Sequence, residues 1–223
     1  MITLYHCVAA RSFRVLWMLE ELTLGYALVV LPFPPRALAK TFREVNPLGT
    51  IPYFIDGETR MSESAAVCQY LASRYGDGAF EADREHPAFG DYLNFLHFGE
   101  ATLTFPQTLV LRYERFESPA RRLASVAQDY RTWFLARLKT LEPRLAAQTY
   151  IAADRFTAAD VSVGYALLLA SYLDMAPQFT PAVTAYWARL QARPAFARAQ
   201  RRERDDAITQ GVSPEPAAAA RPD

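Results

Sequence analysis

Cysteine is scarce in this chain: only Cys7 and Cys68 occur in 223 residues. They form no C-x-x-C pair and no metal-ligand cluster with the three histidines, so no metal is expected and a reduced, cytoplasmic setting is. No apolar run approaches the roughly 20 residues of a membrane span. The first residues reach Arg11 and Arg14 without a signal-type apolar core, so neither a membrane association nor export is expected. An excess of either charge is missing too. The 24 basic and 24 acidic residues cancel, and no net field would draw the chain to nucleic acid or anionic lipid. Lysine is confined to Lys40 and Lys139, with arginine carrying the remaining positive charge.

Apolar residues make up 51% of the chain, enough to bury the core of one large domain or two small ones. Ile2 to His6 reads as a first strand, and Ser12 as the cap of a helix running to about Leu24, with Val15, Leu19 and Leu22 at helical spacing. Tyr26 to Leu31 reads as a second strand. Pro32, Pro34 and Pro35 break the chain, and a short helical piece covers Ala37 to Glu44. Asp56-Gly57 marks a hairpin turn between Tyr53-Phe54-Ile55 and Thr59-Arg60-Met61, and a helix over Ser64 to Tyr75 stops at Gly76. The predicted order is β-α-β-(α)-β-β-α over residues 1–76. Residues 77–86 are polar and read as a linker. Residues 87–203 read as all-helical, with Thr157 and Asp160 in a capping box beside Phe156. The charged and then Pro/Ala-rich end, 204–223, reads as a disordered tail.

One stretch points to a ligand: Asn46-Pro47-Leu48-Gly49-Thr50-Ile51-Pro52, followed by Ser62-Glu63-Ser64. A cis Ile51-Pro52 bond would turn the main chain of Ile51 outward, where an extended peptide could pair with it as an added strand. The helix start at Ser64 offers bare N–H groups to a carboxylate, and Glu63 offers a negative charge to an amine. Ser64 as a mere cap and Glu63 as a mere complement to the helix dipole are compatible with these roles.

The NPLGTIP segment, the DG hairpin, SESAAVCQYL at 62–71 and FTAADVSVGYAL at 156–167 together resemble the glutathione transferase family. The resemblance covers nearly the whole chain except its last twenty or so residues. It implies an α/β plus all-α fold: a thioredoxin-like N-terminal domain followed by a helical-bundle domain. It also implies that the peptide is glutathione, a co-substrate. Ile51, with Thr50 and Pro52 beside it, would meet the cysteinyl part. Glu63 and Ser64 would hold the γ-glutamyl end, and Lys40 the glycine carboxylate. The family usually dimerises, so a homodimer is expected.

Glutathione attacks as a thiolate, and a free thiol with a pKa of about 8.5 is little ionised at neutral pH. Lowering that value by about two units needs roughly 2.7 kcal/mol of preference for the anion. One hydrogen bond to the charged sulfur supplies about 1.5–3 kcal/mol. In the family the donor sits just after the first strand, a position that falls on Ala9 here, and neither Ala9 nor Ala10 carries a hydroxyl or thiol. The substitutes are the Ser12 hydroxyl, the Cys7 thiol, the side chains of Tyr5 and His6, and the backbone N–H groups of Ala10 to Ser12, with Arg11 adding positive potential.

Tyr92, Phe95, Phe98, Phe105 and Tyr113, on a helix from about Asp91 to Phe116, and Tyr165 are either packing core or the wall of an apolar pocket for a small hydrophobic electrophile. Three functions are open: conjugation of glutathione to such electrophiles, a glutathione-dependent disulfide or peroxide reductase that would use Cys7, and a glutathione-binding protein without turnover. Ala9 favours the last.

Overall fold

The computed structural model describes residues 1–219 of the chain. These fall into two compact units. The first comprises Met1–Asp77 together with Ala192–Ala217, and the second begins at Gly78 and runs to Gln191, with Ala218 added to it.

The first unit is built on a four-stranded mixed sheet of order β2-β1-β3-β4, with β1 Ile2–His6, β2 Tyr26–Val30, β3 Tyr53–Asp56 and β4 Thr59–Met61. β1 runs parallel to β2 and antiparallel to β3, and β3 antiparallel to β4. The parallel pair needs a crossover, supplied by α1 (Phe13–Glu21). Two short helices, α2 (Pro35–Leu38) and α3 (Phe42–Val45), stand where one helical piece is predicted. The prolines before them hold a cis Phe33–Pro34 bond. α4 (Ser64–Tyr75) closes this part. Alternation decides the strand: Ile2, Leu4 and His6 are buried while Thr3 and Tyr5 are half-buried. α1 is buried along Phe13–Leu19 and is the central helix of the unit.

The last helix, α11 (Pro194–Thr209), corrects two boundaries expected from sequence. It belongs with the N-terminal sheet, not with the helical domain, and order continues past Glu203 into the segment read as a tail. Only residues 220–223 of that segment lie outside the described residues. Phe196, Ala199, Glu203 and Ala207 form the buried stripe at helical spacing. Glutamate in the middle of that stripe hides it from a hydropathy reading. Phe196 packs edge-on against Trp17 at 4.9 Å and Phe13 at 5.5 Å. Arg193 and Arg198 pair with Glu21 (2.6 Å) and Glu20 (2.9 Å), and the Gln210 amide closes the open edge of β2, accepting from Val30 N–H and donating to Leu28 C=O.

The second unit is helical: α5 (Phe89–His97), a π-helical turn (Phe98–Thr104), α6 (Phe105–Leu111), a second π segment (Arg112–Phe116), α7 (Ala124–Lys139), α8 (Glu142–Ala147), α9 (Ala158–Tyr172) and α10 (Pro181–Gln191). The helix expected over Asp91–Phe116 is thus continuous but twice widened. α9 is buried from Ala158 to Ala170. The expected capping box is present: Asp160 Oδ2 accepts the Thr157 N–H at 2.8 Å. Asp160 also receives Ile151 N–H at 2.9 Å and the Tyr186 hydroxyl at 2.8 Å, so the box doubles as a tertiary anchor. Part of the expected linker is packed on this start: Phe80 C=O accepts Ala158 N–H, and Ala82 is buried. Tyr92, Phe95 and Tyr165 are core, whereas Phe105 is exposed.

Candidate functional site

The strand register brings three loops to one end of the sheet. Tyr5 pairs with Tyr53, so the exit of β1 lies beside the entry of β3, and Cys7–Ser12 beside Ile51–Pro52. Phe54 pairs with Met61, so β4 leaves at the same end and delivers the chain to Glu63 and Ser64.

The Asn46–Pro52 segment is shaped from within by Asn46, whose side chain is buried. Its Nδ2 donates to Thr50 C=O at 2.8 Å and its Oδ1 accepts Leu48 N–H at 3.2 Å. Gly49 takes φ +62 with Arg36 Cβ only 3.1 Å from where its own Cβ would stand, so a side chain is unfavourable there on both counts. Ile51–Pro52 is cis, as anticipated. Among the described residues nothing pairs with the N–H or C=O of the half-buried Ile51. Thr50 is exposed and Pro52 buried.

Glu63 is the exposed N-cap of α4, and its carboxylate makes no capping bond. Its carbonyl accepts Val67 N–H, which leaves the N–H groups of Ser64 to Ala66 as the orphan donors of the first turn. Ser64 is buried, and its Oγ accepts from Arg14 Nη1 at 3.1 Å. Arg14 is wholly buried on α1, a guanidinium placed under the start of α4. With a lone pair engaged there, the Ser64 hydroxyl keeps its proton to donate.

The β1–α1 loop differs from expectation. Ser12 occupies the cap position of α1 but in helical geometry and without a capping bond. Its hydroxyl turns back on the strand end, accepting Cys7 N–H at 3.3 Å and donating to Cys7 C=O at 3.4 Å, and it is fully buried. The Cys7 thiol is buried as well, and desolvation pushes its pKa up to about 12. Neither side chain faces solvent at this end of the sheet. Ala9 sits at φ +52, a left-handed conformation that costs a residue with a Cβ about 1–3 kcal/mol unless its surroundings impose it. Its N–H is held by Glu203 Oε2 at 2.9 Å, and the same oxygen lies 2.9 Å from His6 Nε2.

The fold therefore joins Ile51, Pro52, Glu63 and Ser64 with the Cys7–Ser12 loop. Among the described residues no hydrogen bond or ion pair links the side chain of the exposed Lys40, in the α2–α3 connection, to any of them. Arg14, Asn46 and Glu203 were not legible as site residues. Asn46 lies inside the recognised segment, but Glu203 is separated from Ala9 by 194 positions and carries no local signal. Among the described residues no group of three His, Cys, Asp or Glu side chains could hold a metal ion, and no helix is long and apolar enough to cross a membrane.

Residues 4–79 match the family model described as glutathione S-transferase, N-terminal domain, and residues 108–194 that described as glutathione S-transferase, C-terminal domain. Glutathione S-transferase 3 of Zea mays is 30% identical over 196 residues, covering 82% of this chain and 85% of that protein. Glutathione S-transferase 3 of Schizosaccharomyces pombe is 28% identical over 189 residues, covering 79% and 78%. Among solved structures, Ure2p5 from Phanerochaete chrysosporium, cocrystallised with 1-(S-glutathionyl)-2,4-dinitrobenzene, superposes with a TM-score of 0.78 at 24% identity, over 95% of this chain and 98% of that one.

Proposed function

Since the chain belongs to the glutathione transferase family, as a transferase with a thioredoxin-like first domain, we propose that it binds glutathione at the end of the sheet where β1, β3 and α4 meet. The observation that carries this reading is the unpaired main chain of Ile51 beside the Glu63–Ser64 helix start. An extended cysteinyl residue pairs with Ile51 as an added strand. Its γ-glutamyl carboxylate takes the Ser64 hydroxyl and the orphan N–H groups of α4, with Arg14 supplying positive charge from below, and Glu63 takes the amine. Thr50 and Pro52 flank that pairing, and Lys40 reaches toward the glycine carboxylate.

The reaction is conjugation of the bound thiolate to a small hydrophobic electrophile, by proximity and by stabilisation of the anion. With Ser12 and Cys7 turned inward, the donors to sulfur are the backbone N–H groups of Arg11 and Ser12, aided by the N-terminal partial charge of α1. Ser12 then acts by fixing the loop to the strand end. The protein works as a cytoplasmic homodimer.

A second reading, a glutathione binder without turnover, is favoured by Ala9, which offers no hydroxyl or thiol at the family's donor position. A reductase is disfavoured by the buried Cys7 thiol. Titrating the ultraviolet absorbance of bound glutathione against pH separates them. A thiol pKa lowered by about two units, with turnover of a generic aryl halide, supports the transferase. Binding with an ordinary thiol pKa supports the binder. Absence of binding defeats both, and sedimentation at micromolar concentration tests the dimer.

A further inference from the structure

The β1–α1 loop has a second support that comes from the far end of the chain. We propose that Glu203 on α11 is the positioning residue of this loop: by receiving both the Ala9 N–H and the His6 ring N–H, it sets the direction in which the Arg11–Ser12 amides face the glutathione sulfur.

One carboxylate oxygen, Oε2, lies 2.9 Å from Ala9 N and 2.9 Å from His6 Nε2. Both residues and Glu203 are buried, so water does not compete for these bonds. Hydrogen bonding to a carboxylate places the His6 proton on Nε2. Nδ1 is buried and has no hydrogen-bond partner among the described residues, so the ring's one tie is through Nε2. His6 in turn is anchored by its carbonyl, which accepts Leu31 N–H at 2.8 Å. The two ends of the turn are thus tied to one oxygen: His6 as the last residue of β1 and Ala9 as the residue in left-handed geometry. A left-handed alanine persists only where its surroundings impose it, and the Glu203 bond is a contact that imposes it here. The bond also takes Ala9 N–H out of the set of possible sulfur donors. Ala10 N–H is taken by Cys7 C=O at 3.1 Å, and in the proposed function the amides that follow it perform that task.

Other ties on α11 do not touch the loop. Arg193 and Arg198 grip Glu21 and Glu20 at the other end of α1, and Gln210 closes the edge of β2. They dock the helix, while Glu203 alone among these reaches the turn. This separates a positioning role from helix docking in experiment. The inference rests on the transferase reading above.

Glu203→Ala, Glu203→Gln and Arg198→Gln are compared with the full-length wild-type chain for glutathione Kd, kcat with an aryl halide, the thiol pKa of bound glutathione and the thermal midpoint. Glu203→Ala is expected to raise the bound thiol pKa by about one unit and, at a pH about one unit or more below the wild-type value, to lower kcat about tenfold, the two being the same loss of thiolate there, with Kd changed less than about threefold. Glu203→Gln keeps an acceptor oxygen and is expected to stay within about threefold of wild-type kcat. Arg198→Gln is expected to lower the midpoint and leave kcat and the thiol pKa unchanged. A folded Glu203→Ala with wild-type kcat and thiol pKa overturns the inference. So does an equal loss of kcat in Arg198→Gln, which would assign the effect to docking. Faster turnover in both Glu203 variants would mean that the buried charge merely opposes the thiolate, and overturns it too. If Glu203→Ala does not fold, Glu203→Asp decides: one methylene shorter, it cannot hold both donors, and wild-type kcat in that variant is equally fatal. A wild-type chain that neither binds glutathione nor turns over removes the transferase reading and the inference together, whereas an active wild type with indifferent Glu203 variants removes the inference alone.

Discussion

Arg14 Nη1 donates to Ser64 Oγ across 3.1 Å, joining the first turn of α1 to the first residue of α4. Both side chains are buried, so this bond places a permanent cation beneath a helix N-terminus whose first N–H groups are unsatisfied. In the proposed function, the pair makes this helix start the seat of a carboxylate.

Removing the Ser64 hydroxyl deletes a donor to that carboxylate and leaves Arg14 without this acceptor. Ser64→Ala is expected to weaken glutathione binding roughly tenfold or more, the worth of one charge-assisted hydrogen bond. Isothermal titration at neutral pH measures it, and unchanged affinity would rule out the proposed γ-glutamyl seat.

Ser12 makes two long bonds to the Cys7 backbone. Ser12→Ala leaves the buried Cys7 N–H unpaired, while Cys7 C=O keeps the Ala10 N–H at 3.1 Å, and is expected to cost about 1–3 kcal/mol of stability in urea unfolding. Turnover in the folded variant is expected to fall less than about fivefold, since the backbone donors remain. A collapse of kcat at full stability would identify the hydroxyl itself as the sulfur donor.

Gly99, in the first π segment, lies against α9: a Cβ there would stand 2.5 Å from Ser162 C and from Ser162 Oγ. Ser162 cannot yield easily, because its Oγ also donates to Leu96 C=O at 2.7 Å. Gly99→Ala is expected to destabilise the protein by about 1–3 kcal/mol through overpacking. A thermal midpoint equal to wild type would show that the two helices can part at no cost.

Asp160 is wholly buried, and desolvation raises its carboxyl from 3.8 to about 6 despite the donors that surround it. Between those two values the folded chain holds a proton that the unfolded chain has released. Its contribution to stability is therefore fully present below pH 3.8 and is lost as the pH rises through about 6. Asp160→Asn removes this slope. Relative to the variant, the wild type is expected to lose up to about 3 kcal/mol between pH 4 and pH 7 in denaturant unfolding. A constant difference across that range would mean that the hydrogen bonds, not burial, govern the carboxyl.

Much of the site was legible because it is local. The turn at Asn46–Pro52, the hairpin at Asp56-Gly57 and the start of α4 at Ser64 are each signalled by neighbouring residues whose backbone preferences the sequence states directly. The capping box at Thr157 and Asp160 was legible for the same reason. Ser12 was misread because its type suits a helix cap, while the loop instead turns its hydroxyl toward Cys7. The end of the chain was misread because Glu203 interrupts the apolar stripe of α11.

What the sequence alone determined is the order of elements, the turn at Asn46–Pro52 and the family, since strand alternation, turn chemistry and helix starts depend on residues a few positions apart. What only the tertiary structure decided is which groups of the β1–α1 loop are turned inward and what holds them. Glu203 and Ala9, or Arg14 and Ser64, meet only when packing encloses them, and a buried charge is stable there only because the fold supplies its partners. Such long-range pairing leaves no mark on the neighbouring residues, so no local pattern announces it.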